Sequence, residues 1–228
     1  MKAVLFRPFT HASWYMGNDR WNLQEYTADQ FAITTKGRHW YNGGENERYH
    51  YHRWTPDDGW ISGTWQGTLM GVGLALDAKN DLAAVDYTAF GLTQANRDDH
   101  VNQLNTLIAF FYLRGLDYFG GLPIYESLEG ASLPRTTDIE TFAHIEKLLK
   151  EAIPKLTKKE GGSEEGEFRQ AGAAALLARL YFNAEAYICT PMYSEAQQIC
   201  ADIIDKKYGN YSLDANWYGP HSFDNNKS

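Results

Sequence analysis

The chain has 228 residues, 43% of them hydrophobic, enough to bury a sizeable core as one domain or as part of a larger one. Its 21 basic and 29 acidic residues give a net charge of -8 with no Lys/Arg stripe, so no nucleic-acid partner is expected. No apolar run approaches the roughly 20 residues needed to span a bilayer, and Met1 to Pro8 is too short and too soon broken to be a secretion signal.

Residues 1–63 read as a mostly irregular, aromatic-rich side, with one short helix around Asp29 to Ile33. Gly37, Gly43-Gly44, Pro56 and Gly59 punctuate it. Six of the seven tryptophans (Trp14, Trp21, Trp40, Trp54, Trp60, Trp65) fall in the first third of the chain. Aromatics on irregular backbone either plug a core or form exposed platforms. Arg38-His39-Trp40-Tyr41-Asn42-Gly43-Gly44 is the best binding candidate. Indole and phenol rings stack on the apolar faces of sugars, Asn and Arg hydrogen-bond the hydroxyls, and the glycines let the backbone turn so that the rings project. The alternative, that Trp40 and Tyr41 simply anchor the loop to a helical body, stands level with it.

His50 and His52 would point one way along an extended segment, but a third ligand at convincing spacing is missing, so no metal is expected. Glu45, Glu47, Asp57 and Asp58 contain the residue types of a glycosidase pair, which needs two carboxyls about 5–9 Å apart across a sugar; solvated surface charge is the default. There is no nucleophile elbow, phosphate-binding loop or dinucleotide fingerprint. No catalytic residue and no cofactor are therefore expected.

From residue 64 the pattern turns helical. Trp65, Leu69, Val72 and Leu76 place a helix over Thr64 to Ala84. Gly67, Gly71 and Gly73 each cost it about 1 kcal/mol against Ala and permit close approach of a neighbouring helix. A second helix runs from Asp98 to Phe119 with Val101, Leu104, Ile108, Phe111 and Leu116 near one face; Gly120-Gly121 ends it and Pro123 blocks resumption. Thr137 and Glu140 form a capping box for a third helix with a stripe through Phe142, Ile145 and Leu149. A polar, exposed linker spans Lys158 to Glu167. A fourth helix covers Phe168 to Ile188, Pro191 breaks it, and Ser194 caps a fifth that reaches about Lys207. Small residues on the last pair, Ala171, Ala173 to Ala175 and Ala196, match the tetratricopeptide (TPR) logic of nested helix pairs, although the strict 34-residue signature is not present. Cys189 and Cys200 lack metal-site spacing and read as small buried residues at helix contacts, a disulfide across the turn being the alternative. The polar tail Asp224 to Ser228 supplies no closing helix, which implies a stack whose last apolar face needs a further half.

The expected fold is all-α: TPR-like helical pairs forming an α-α superhelix with long irregular loops, one region over 1–228 in which 1–63 is the ligand side and 64–228 the scaffold. Several segments also resemble the SusD/RagB family: Asp117-Tyr118-Phe119-Gly120-Gly121-Leu122-Pro123-Ile124, Pro134-Arg135-Thr136-Thr137, Ala171 to Tyr181, Tyr193-Ser194-Glu195-Ala196 and Tyr208 to Leu213. Thr27-Ala28-Asp29, Trp40 to Gly44, His52 to Pro56 and Trp65 fall in that family's order. The resemblance implies the N-terminal SusD-like portion of a lipoprotein on the extracellular face of the outer membrane, its C-terminal half absent. It further implies capture of a glycan, or in some members a peptide, above a SusC-like TonB-dependent transporter, with the lipid anchor outside this chain. It carries a sugar-platform role to Trp40 and, after it, Asn42; Tyr41 and Arg38 join them by position. Gln103, Ile108 and Leu76 depart from the family's polar residues, which implies lost buried polar links. The alternatives are a TPR-type protein-interaction scaffold and an α-helical glycoside hydrolase using two of the carboxylates above.

Overall fold

The computed structural model describes residues 1–17, 19–160 and 166–223, with the backbone alone for residue 19. It contains nine α-helices and no strand among the described residues. These are α1 (Lys2–Gly17), α2 (Asp19–Thr27), α3 (Glu45–His50), α4 (Gly59–Ala83), α5 (Gln94–Phe119), α6 (Asp138–Ala152), α7 (Gln170–Phe182), α8 (Ala184–Ile188) and α9 (Tyr193–Ile204). The all-α, TPR-like reading is what the structure shows: α4 lies on α5, α5 on α6, and α7 on α9.

The first 27 residues depart from expectation. They are two helices rather than irregular chain, and the helix expected over Asp29 to Ile33 is not helical. Leu5, Pro8, Ala12 and Tyr15 recur at spacings of three, four and three, so one face of α1 turns inward; Leu5, Pro8 and Tyr15 are buried. Pro8 sits inside α1 without ending it. It forfeits one backbone bond, and burial of its ring with Leu5 and Tyr15 against α4 and α5 offsets that loss. On α2, Arg20, Leu23 and Tyr26 face inward at helical spacing.

Helix α5 is the central element and touches α1, α4, α6 and α7. Phe111, Leu104 and Tyr112 are fully buried in it. The close approach expected of the α4 glycines is real at two of three positions. A Cβ on Gly67 would meet the Tyr15 ring at 3.0 Å, and one on Gly71 would meet Phe111 Cε1 at 2.5 Å. Gly73 faces open space instead. Gln103, read as a lost polar link, keeps one: its Nε2 donates to Asp99 Oδ2 at 2.8 Å, while Asp99 Oδ1 accepts the Thr157 amide at 2.7 Å.

The Gly120-Gly121-Leu122-Pro123 segment ties the end of α5 to the start of α6. Gly120 has φ +73°, the left-handed region that favours glycine. A Cβ on Gly121 would lie 2.7 Å from the Thr136 carbonyl carbon, so only hydrogen fits. Asp138 Oδ1 accepts the Gly121 amide at 2.6 Å, and Arg135 donates to the carbonyls of Gly121 and Phe119. The capping box on Thr137 and Glu140 forms as the spacing predicts.

Later boundaries shift modestly. The fourth predicted helix breaks at Asn183 into α7 and α8, and α9 starts after Met192 with no side-chain cap, so Ser194 does not cap it. Cys189 and Cys200 are free and exposed, not buried contacts and not bonded to each other. Cys189 has φ +54° and closes α8. Residues 161–165 of the expected linker and the expected polar tail 224–228 lie outside the described residues.

Candidate functional site

The aromatic loop is built from three short-range devices. Lys36 and His39 pair their backbones through two bonds of 2.9 Å, making a tight turn with Gly37 at φ +61° and Arg38 beside it. Trp40 and Asn42 then take positive φ, 66° and 44°, which is uncommon for residues with a Cβ. Gly43 and Gly44 follow at φ 59° and 76°, and α3 starts at Glu45. The chain reverses sharply, and the two rings are left outside: Trp40 is 60% exposed and Tyr41 58%.

Bonds from α3 hold this shape from beneath. Buried Asn46 donates its Nδ2 to the Trp40 carbonyl at 3.1 Å, and Arg48 Nη1 donates to the Gly43 carbonyl at 2.8 Å. Asp58, at the start of α4, accepts from Arg48 through both carboxylate oxygens and from the Thr55 amide at 2.8 Å. The Arg48 hydrogen bond holds the Asp58 carboxyl below its ordinary range, so it stays ionised and is no proton donor at neutral pH. Glu45 accepts from Asn42 Nδ2 at 2.8 Å and from Tyr49 Oη at 3.2 Å. Asp58 and Glu45 are therefore braces of the loop; Asp57 and Glu47 are exposed.

The tryptophans divide between core and surface. Tyr49 is fully buried and stacks on Trp60 at 4.7 Å and 13° between planes, with Tyr26 against the other side of the cluster at 5.0 Å from Trp60. Trp65 meets Phe119 edge-on at 5.2 Å. Trp40, Trp54, Trp14 and Trp21 are exposed. The expectation of irregular backbone fails for four of the six: Trp14, Trp21, Trp60 and Trp65 lie on α1, α2 and α4, and only Trp40 and Trp54 stand outside the helices.

Trp40 and Tyr41 form one wall of a cleft of about 340 Å³, completed by Ile33, Thr34, Thr35 and Tyr51. The four candidate residues are not all brought together. Arg38 stays exposed in the turn and Asn42 bonds Glu45; neither lines the cleft. Tyr51 went unselected, although the run Tyr49-His50-Tyr51-His52-Arg53-Trp54 signalled it; Arg53 lies over its ring at 5.3 Å. A second cleft of about 500 Å³ opens between Trp54, Pro56, Trp65, Phe119 and Arg135. His50 and His52 do not share an extended face: His50 ends α3, and His52, at φ +53°, bonds the Thr27 carbonyl through Nε2 at 2.8 Å. Among the described residues no group of three or more potential ligands is placed to hold a metal. No helix among them is long and apolar enough to cross a membrane.

The all-helical body has the fold of SusD-like proteins. A laminarin-binding SusD-like protein superposes with a TM-score of 0.77 at 17% identity over 96% of this chain and 47% of its own. A SusD superfamily protein from Bacteroides vulgatus gives 0.75 at 14% identity, covering 97% and 46%. Surface glycan-binding protein A from Bacteroides thetaiotaomicron, solved in complex with laminarihexaose, gives 0.73 at 18% identity, covering 97% and 45%. The chain thus spans about half the length of the solved structures it matches. No protein-family model and no curated protein sequence matches it.

Proposed function

We propose that this chain is the N-terminal portion of a non-catalytic glycan-binding lipoprotein. It works at the extracellular face of the outer membrane and passes its ligand to a SusC-like TonB-dependent transporter. The observation that carries the reading is the pair of exposed rings, Trp40 and Tyr41, in a loop that turns through positive φ at Trp40, Asn42, Gly43 and Gly44 and whose carbonyls Asn46 and Arg48 hold. A loop whose backbone is already braced loses less entropy on binding than a free one. They offer flat apolar area that the axial C–H groups of a sugar ring complement. Arg38, exposed in the adjacent turn, and the side-chain Oδ1 of Asn42 lie outside the cleft and would bond only parts of a ligand that extend past the rings. The laminarin and laminarihexaose ligands of two proteins with this fold make β-linked glucans the first class to test.

The test is calorimetric titration of laminarihexaose and a polysaccharide panel into the wild-type chain and a Trp40→Ala variant, with Trp14→Ala as an exposed-tryptophan control. Losing the stacked indole weakens affinity at least about tenfold, or ~1.4 kcal/mol, while Trp14→Ala leaves it unchanged. Retained affinity in Trp40→Ala overturns the site. A chain that binds no glycan in the panel but captures a peptide overturns the ligand class.

A further inference from the structure

Stacking on Trp40 and Tyr41 leaves part of their cleft unused. Helix α3 adds Asn46, Glu47 and His50 to the lining, beside Trp40, Tyr41 and Tyr51. Asn46 is buried, and its Nδ2 donates to the Trp40 carbonyl. Glu47 is exposed, and its carboxylate makes no hydrogen bond or ion pair among the described residues. That sets it apart from its neighbours: Glu45 accepts from Asn42 and Tyr49, and Asp58 accepts from Arg48.

The three rings are also exposed. Tyr51 meets His50 edge-on at 5.0 Å, and among the described residues Trp40 and Tyr41 meet no other ring. Arg53, which does not line the cleft, lies over the Tyr51 ring at 5.3 Å, so cation–π contact is already made at this place. An exposed carboxylate in the first turn of a helix is by itself ordinary surface charge. Its position with three exposed rings in one cleft of about 340 Å³ is what marks Glu47.

Aromatic faces are negative, and they attract a cation within about 6 Å of the ring centroid. A neutral sugar takes apolar contact from such rings and one hydroxyl bond from the carboxylate. A sugar with a protonated amine takes both, and adds attraction to the ring faces and to the carboxylate charge. The lining holds no lysine or arginine that already fills this role. Arg48 is held by Asp58 and the Gly43 carbonyl, and Lys36 and Arg38 stand exposed in the turn outside the cleft. His50 is the one basic side chain of the lining, and a charge on it would oppose a cation.

We propose that the Trp40 cleft selects a glycan carrying a protonated amine. Glu47 is the charge partner of that amine, and Trp40, Tyr41 and Tyr51 supply the ring faces around it. This assignment rests on the glycan reading of the cleft and narrows the sugar to an amino sugar.

Calorimetric titration compares three β-1,4-linked hexamers that differ only at C2: glucosamine, N-acetylglucosamine and glucose. Neutral pH is used, because in acid a charged imidazole would compete with the ligand's amine. The full chain should bind the glucosamine hexamer at least about fivefold more tightly than the other two. That margin should vanish in Glu47→Gln and shrink as salt rises. It should survive in Asp57→Asn, which removes an equal charge from an exposed residue outside the cleft. Equal affinity for all three hexamers in wild type, or a margin that Glu47→Gln retains, overturns the amine assignment and leaves the glycan reading in place. No heat with any hexamer overturns it as well, and the laminarihexaose titration then decides whether the glycan reading falls with it. Capture of a lysine-rich peptide by a chain that binds no glycan overturns both.

Discussion

Gly71 and Gly73 lie two residues apart on α4, and the structure assigns opposite signs to the same substitution at each. A methyl group at position 71 would fall 2.5 Å from both Cε1 and Cε2 of Phe111. That ring is fully buried, with Tyr15 edge-on at 5.5 Å, His11 at 5.7 Å and Phe110 at 5.5 Å, so it has no vacant direction to swing into. Relief requires α4 and α5 to part, an overpacking cost of about 1–3 kcal/mol. Alanine's better helix propensity returns up to about 1 kcal/mol. Gly71→Ala is therefore expected to destabilise by about 1–2 kcal/mol, lowering Tm by roughly 2–8 °C for a chain of this size. At position 73 nothing lies within 4 Å of the new methyl. Gly73→Ala keeps only the propensity gain, up to about 1 kcal/mol, or roughly 2–4 °C upward. Urea and thermal unfolding followed by helical circular dichroism at 222 nm measure both. If the two variants move in the same direction, or if Gly71→Ala is the more stable, the α4–α5 packing described above is wrong.

Three further outcomes are expected. Thr137→Ala removes the hydroxyl that accepts the Glu140 amide at 3.1 Å and should cost about 1 kcal/mol in chemical denaturation; a Thr137→Ser variant that loses as much would show that the cap is not the cause. Asp58→Asn strips the charge partner from half-exposed Arg48 and should lower stability at neutral pH, more at low salt than at high. Because folding holds this carboxyl below its ordinary value, its contribution is complete above about pH 4 and fades as pH falls through the lower folded value. A pH series should therefore show the gap between wild type and Asp58→Asn closing in acid, and a gap independent of pH would count against the ion pair. Asn46→Ala should weaken glycan affinity about tenfold or less, because it frees the Trp40 carbonyl while sparing both rings; unchanged affinity would mean that the loop needs no brace.

Helices α5 to α7 and α9 were readable in the sequence because punctuation and period agree there: Gly120-Gly121 and Pro123 close α5, Thr137 and Glu140 open α6, and alanines mark the α7–α9 contact. Helices α1 and α2 were not. Their inward faces combine Leu5 and Leu23 with Pro8, Tyr15, Arg20 and Tyr26, residues that breaker and hydrophobicity rules score as irregular or exposed. At the loop, aromatic identity beside Gly43-Gly44 was enough to single out Trp40 and Tyr41. The wall formed by Ile33, Thr34, Thr35 and Tyr51 depends on how α2 and α3 pack, and no local pattern encodes that. Asn42 was expected beside the rings as a ligand-bonding residue; its side chain bonds Glu45 outside the cleft, and no local pattern signalled that bond.

The placement of α1 has a consequence for biosynthesis. Leu5 is buried with Ala78, Leu82 and Leu104, Arg7 pairs with Asp77, Tyr15 meets Phe111 and bonds Thr68, and Phe9 meets Phe168, so these long-range partners of the helix are translated roughly 50 to 160 residues after it. At about 5–20 residues per second the wait runs from a few seconds to about half a minute. Throughout that interval the face of α1 that carries Leu5, Pro8 and Tyr15 has only α2, the next helix in the chain, to pack against.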